Sequence, residues 1–244
     1  MADRRQRLQA LLSDDRAARP GPAVGLVCAR CVVELSITGA GATVLATFGQ
    51  RDGHARDGHP ARGLVHATNA TSAALEDLQL TVGEGPCLDA FESGGPVLVA
   101  DLTAELSRWP VFAAEAVKLG VAAVFSFPLQ IGVVRLGSLD LYRASPGRLT
   151  PVEVTDALIL TDLAGERILQ EIDGHAIADL SWLANPHIEV HQATGMVQAQ
   201  LGVTTEHALM RLRGYAFTHD LTMAEVARKV VRKVLRFEPE SEPK

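Results

Sequence analysis

The residues best suited to chemistry lie towards the end of the chain. Gln192-Ala193-Thr194-Gly195-Met196 sets an amide, a hydroxyl and two small residues side by side, and Arg211, Arg213, Arg228, Lys229, Arg232, Lys233 and Arg236 follow. Amides and hydroxyls hydrogen-bond phosphates or base edges, and guanidinium groups fork onto phosphate or guanine. Alanine and glycine let a second backbone come close to a helix. This is the chemistry of polyanion recognition. No Walker loop, GxSxG or HExxH pattern occurs, and no His/Asp pair stands at an informative spacing. The expectation is a protein that is not an enzyme, with no catalytic residue, no metal site and no cofactor.

The charge balance narrows what such a face could meet. A net charge of -6 over 244 residues argues against indiscriminate binding of nucleic acid or anionic membrane. The stretch from Gly174 to Phe237 is different, with seven lysines and arginines against five acids, whereas residues 1–173 hold fifteen against twenty-one. A hydrophobic fraction of 47% supplies a real core. No apolar run reaches the roughly 18 residues needed to span a bilayer. The charged start, Asp3, Arg4, Arg5 and Arg7, lacks the apolar core of a signal peptide. A cytoplasmic protein without membrane contact is expected.

Other reactive side chains read as packing or solvated loop. Val24, Val27, Cys28, Cys31, Val32 and Leu35 recur at helical spacing, which puts Cys28 and Cys31 on an apolar face. Cysteine there behaves as a small hydrophobe, and no second CxxC completes a zinc site. Cys87 follows the turn Gly83-Glu84-Gly85-Pro86 and is read as buried, an accessible thiol sensor being the alternative. Arg51-Asp52-Gly53-His54 and Arg56-Asp57-Gly58-His59 lie in a polar stretch, Gly49 to Gly63, read as a loop.

The elements that position these residues follow from periodicity. Helices are expected over Asp3–Arg19, Val24–Leu35, Ser72–Leu78 and Trp109–Leu119, the last with Phe112, Ala116 and Leu119 inward. Strands are expected at Ala42–Thr47, Leu64–Asn69 and Pro96–Ala100, and in a hairpin of Val121–Ile131 with Leu136–Tyr142 turning near Gly132. Because strands and helices do not strictly alternate, an α+β fold with an antiparallel sheet is favoured over a doubly wound one. Thr150 and Pro151 open a long helix whose face is Val154, Ala157, Leu158, Thr161, Ala164, Ile168 and Ile172. Packing on the sheet or pairing with a second chain would bury that face.

Three short helices follow Asn185-Pro186. The first carries Val190, Ala193, Val197 and Leu201 and closes at Gly202; the second runs from Thr205 to Thr218 with Ala208, Leu209, Leu212 and Ala216 inward. The third opens with a capping box, Thr222 to Glu225, and a staple of Leu221 on Val226. Its stripe is expected to be Val226, Val230 and Val234 with Ala227, Val231 and Leu235, leaving the basic residues in solvent.

Gln192-Ala193-x-Gly195-Met196, Ala208-Leu209-x-x-Leu212-Arg213-x-x-Ala216 and Leu221-x-x-x-Glu225-Val226-Ala227 together resemble an ANTAR domain over about Leu180 to Phe237. Gly83-Glu-Gly-Pro-Cys87, Pro96-Val-Leu-Val99, Phe125-Ser-Phe-Pro128 and Leu136-Gly-Ser-Leu-Asp-Leu-Tyr142 resemble a GAF domain, a small-molecule sensor fold. The order is similar to that of actinobacterial antitermination regulators. The resemblance implies a GAF-like sensor at 1–148, a connecting helix at 149–174, an ANTAR RNA-binding bundle at 175–237 and a tail at 238–244. It implies a homodimer that binds RNA hairpin loops in nascent mRNA leaders and lets polymerase read through a terminator, under a small-molecule ligand of unknown identity. The RNA-binding residues would be Gln192, Ala193, Thr194, Gly195, Arg211, Arg213, Arg228 and Lys229. Many ANTAR domains have Lys where Thr194 stands, so the arginines must supply the salt-dependent contacts. The alternative is a sensory or protein-interaction module whose helical tail only dimerises.

Overall fold

The computed structural model describes residues 2–18, 23–46, 61–132, 134–173 and 188–238. Alternation of side chains along the strands sorts them to two faces of one sheet. The strands β1 (Gly39–Ala46), β2 (Ala61–Ala67), β3 (Val97–Val99), β4 (Ala123–Ile131) and β5 (Val134–Arg143) lie in the order β2-β1-β5-β4-β3, and each neighbouring pair is antiparallel. Phe125, Phe127, Leu129, Leu139 and Leu141 pack with α1 (Ala2–Ala18), α2 (Ala23–Glu34) and α6 (Pro151–Asp173). Val97, Val99, Val124 and Tyr142 pack on the other face with α3 (Ala70–Val82), α4 (Pro86–Ser93) and α5 (Pro110–Lys118). The fold is α+β with an antiparallel sheet followed by C-terminal helices, as the pattern of elements predicts. Among the described residues no helix is long and apolar enough to cross a membrane.

Local signals set most of the boundaries. Proline opens α4, α5 and α6, where its missing N–H is no loss. Asn69 caps α3 by accepting from the Ser72 backbone N–H at 2.8 Å. At α6 the Thr150 hydroxyl accepts from the Glu153 N–H at 3.2 Å while the Glu153 carboxylate accepts from the Thr150 N–H at 2.6 Å, a reciprocal box. Cys28 and Cys31 are fully buried; burial pushes the Cys28 thiol up to about 12 and the Cys31 thiol well above its ordinary value. Neither is a source of thiolate, in keeping with packing.

Tertiary pairing moved other boundaries. Ala61–Gly63, expected in the polar loop, belong to β2 because they pair with Val44–Ala46 of β1. The Arg51 to His59 repeat lies outside the described residues. Leu119 falls beyond the end of α5 and is 42% exposed; Val121 is buried in its stead. Leu158 is 40% exposed, whereas Ile159, Leu160 and Leu163 join the core. The long helix is covered by β4 on one side and by α1 and α2 on the other, and the arc left open runs through Leu158.

The remaining helices are α7 (Ile188–Leu201), α8 (Thr205–Thr218) and α9 (Met223–Val231). They enclose a core in which Val190, Ala193, Val197, Ala208, Leu212, Ala216, Val226 and Val230 are buried, and Leu80 of α3 packs into it. Of the stripe expected on the third helix, Val226, Ala227 and Val230 are buried and Val231 and Leu235 pack against the same core, and Val234 alone fails. Arg232 caps α9, Lys233 adopts φ 59°, and Val234 is turned out to 77% exposure. The capping box forms as expected, and its backbone and side-chain hydrogen bonds with Thr222 hold the Glu225 carboxyl below the ordinary range. That contribution is present above the unfolded value and lost as pH falls through the folded one. Thr222→Ala should cost the bundle about 1 kcal/mol, read as a lower urea midpoint for its helical signal.

Candidate nucleic-acid interface

Helix geometry divides the sequence-predicted site residues between surface and core. On α7, Gln192 and Gly195 lie three apart on one face, and both are exposed. Ala193 and Thr194, expected to touch RNA, face inward at 0% and 4% exposure. The Thr194 hydroxyl donates to the Val190 carbonyl at 2.7 Å, which satisfies it within the helix. The position where Lys is common in ANTAR domains is thus a core-facing one here. Threonine at 194 removes no charge from the exposed face of α7.

Arg228 and Lys229 on α9 are exposed. The Arg228 guanidinium lies 3.6 Å from the Glu189 carboxylate at the start of α7, and Glu189 is three residues before Gln192. The Arg228–Glu189 contact joins α9 to the first turn of α7, the helix that carries Gln192. Gln192 and Gly195 on α7 and Arg228 and Lys229 on α9 are thus exposed on two helices that this ion pair connects. Arg232, Lys233 and Arg236 continue the exposed basic stretch beyond the helix. A Cβ added at Gly195 would meet nothing within 4 Å. Tight packing inside the chain therefore does not explain a helical glycine that costs about 1 kcal/mol relative to alanine. The open space admits a partner's backbone or base.

Arg211 and Arg213 do not share a face. Two residues apart on α8, they point about 200° apart around the helix axis. Arg211 is exposed, whereas Arg213 is half-buried and donates from Nε to the Leu80 carbonyl of α3 at 3.1 Å. The same region joins Met223 N–H to the Thr81 hydroxyl at 3.2 Å. A cleft of about 440 Å³ follows this seam between α3, α5 and the α8–α9 turn, with exposed Phe217 at its rim. Tyr215 stacks on His219 at 3.8 Å and meets Phe237 edge-on at 5.7 Å. A ring face that could take a base is thus occupied by His219.

Residues 186–231 match the sequence profile of the ANTAR domain. The match covers α7, α8 and α9 and holds Gln192, Gly195, Arg211, Arg213, Arg228 and Lys229. A comparison with curated proteins finds no match. Among solved structures, the chain is similar to the GAF domain of a phosphoenolpyruvate-protein phosphotransferase from Coxiella burnetii, at 19% identity and TM-score 0.49, over 69% of this chain and 95% of that one. It is similar to the corresponding GAF domain from Acinetobacter at 10% identity and TM-score 0.48, over 69% and 92%. It is also similar to a type II free methionine-R-sulfoxide reductase from Thermoplasma acidophilum at 12% identity and TM-score 0.40, over 66% and 94%.

Sequence reasoning placed Cys87 in the interior, where it lies, but did not join it to Glu76 and Asp140. Glu76, Cys87 and Asp140 are buried and converge on the α3/α4 face of the sheet. The available signal was the pair Ser138 and Asp140, polar residues two apart in a strand otherwise read as apolar.

Proposed function

We propose that this chain is an RNA-binding regulator that promotes transcription antitermination by binding hairpin loops in nascent mRNA leaders. The observation that carries the reading is the ANTAR match at 186–231, whose exposed residues Gln192, Gly195, Arg228 and Lys229 gather on α7 and α9. Hairpin loops present unstacked bases to an amide such as Gln192, while cations hold the flanking phosphates. The first 148 residues would act as a GAF-like sensor for a small molecule, 149–174 as the connector and 175–237 as the output unit. The protein would work in the cytoplasm as a homodimer, in the manner of actinobacterial antitermination regulators, and without catalysis.

The test is a mobility-shift titration of the full chain with an RNA of two short hairpins and with either hairpin alone. The two-hairpin RNA should bind more tightly than a single one, because a second contact within one dimer is intramolecular. A protein that is dimeric by light scattering yet shifts neither RNA would overturn the reading and favour a tail that only dimerises.

A further inference from the structure

Across the sheet, Ser126 of β4, Asp140 of β5 and Gly41 of β1 are lateral neighbours in register. Asp140 faces α3 and α4. Its two carboxylate oxygens accept from the Ser126 and Ser138 hydroxyls, the latter at 2.7 Å. Glu76 of α3 reaches down over Gly41, where a Cβ would come within 3.0 Å of its Oε1, so the glycine makes room for the carboxylate. The other oxygen of Glu76 accepts from the Thr43 hydroxyl at 2.8 Å. Cys87 is in the first turn of α4, and its backbone N–H donates to the Gln79 side chain at 2.9 Å, which pins that turn over the sheet. One ligand atom each of Glu76, Cys87 and Asp140 lies within 4.8 Å of the other two, and all three residues are buried.

From this geometry we infer that Glu76, Cys87 and Asp140 form a binding site for a divalent transition-metal ion. A thiolate with two carboxylates suits borderline ions such as Zn²⁺, Fe²⁺ or Co²⁺ and disfavours Mg²⁺ or Ca²⁺. Ligand atoms about 2.0–2.3 Å from a tetrahedral ion stand roughly 3.6 Å apart, so closure needs only small side-chain movements. The hydroxyls of Thr43, Ser126 and Ser138 are placed as the outer hydrogen bonds that orient carboxylate ligands. A small cavity, about the size of one water molecule, opens beside Glu76 and Asp140 between Gly41, Ser72, Gln79 and Tyr142. It leaves room for a fourth, exchangeable ligand, the arrangement of a responsive rather than a purely structural site. The site lies on the sheet and stands or falls independently of RNA binding.

The full-length protein, stripped with chelator and titrated with Co²⁺, should take up one equivalent and develop a thiolate-to-cobalt charge-transfer band that Zn²⁺ abolishes. Cys87→Ser should remove the band, and Asp140→Asn should weaken uptake at least about tenfold. The double variant Cys28→Ser/Cys31→Ser should keep both. Zn²⁺ should raise the Tm of the wild type and leave that of folded Asp140→Asn unchanged. Absence of a stoichiometric complex in the wild type, or a band that survives Cys87→Ser but is lost in the Cys28/Cys31 variant, overturns the assignment.

Discussion

Leu212→Ala is expected to melt the C-terminal helices and abolish RNA binding while the sheet stays folded. Leu212 has 0% exposure and belongs to the core of α7, α8 and α9, to which α3 adds Leu80. Truncating a buried leucine costs about 2–5 kcal/mol. A unit of roughly 50 residues holds at best the lower part of the usual ~5–15 kcal/mol of stability. The two cores on the sheet do not contain Leu212. Hydrogen exchange followed by mass spectrometry gives the check: amides of α7–α9 should lose protection while those of β4 and β5 keep theirs. Unchanged protection in α7–α9, or an equal loss in β4 and β5, would contradict it.

The second large effect is electrostatic. Arg228→Ala combined with Lys229→Ala should weaken binding of the two-hairpin RNA by roughly a hundredfold near 0.1 M salt, taking each charged contact at about 1.5 kcal/mol. The plot of log K against log salt should flatten by about 1.5, since each phosphate contact contributes about 0.7–0.9. Thermal stability should barely change, because both side chains are exposed and the nearest ion pair, to Glu189, is a 3.6 Å surface contact. An unchanged salt slope would remove α9 from the interface. Arg213→Ala should behave differently. Its guanidinium is held at the Leu80 carbonyl, so its loss acts through the contact with α3 as well as through any phosphate.

What the sequence by itself determined is local. The helix start at Pro151 with Thr150 as its cap, the capping box at Thr222, and the inward residues of α7 and α8 depend on side chains within a few positions of one another. The burial of Cys28 and Cys31 follows likewise from a period of 3.6 along one helix. The tertiary structure decided which residues meet across the chain. It turned Thr194 into the bundle and set Arg213 against α3, away from Arg211. It drew Ala61 into a strand by pairing with Ala46, and exposed Val234 by ending α9 early. Most of all, it brought Glu76, Cys87 and Asp140 together from a helix, a helix N-terminus and a strand. No short-range period links those three residues, because strand register and helix packing are properties of the assembled sheet rather than of any one segment.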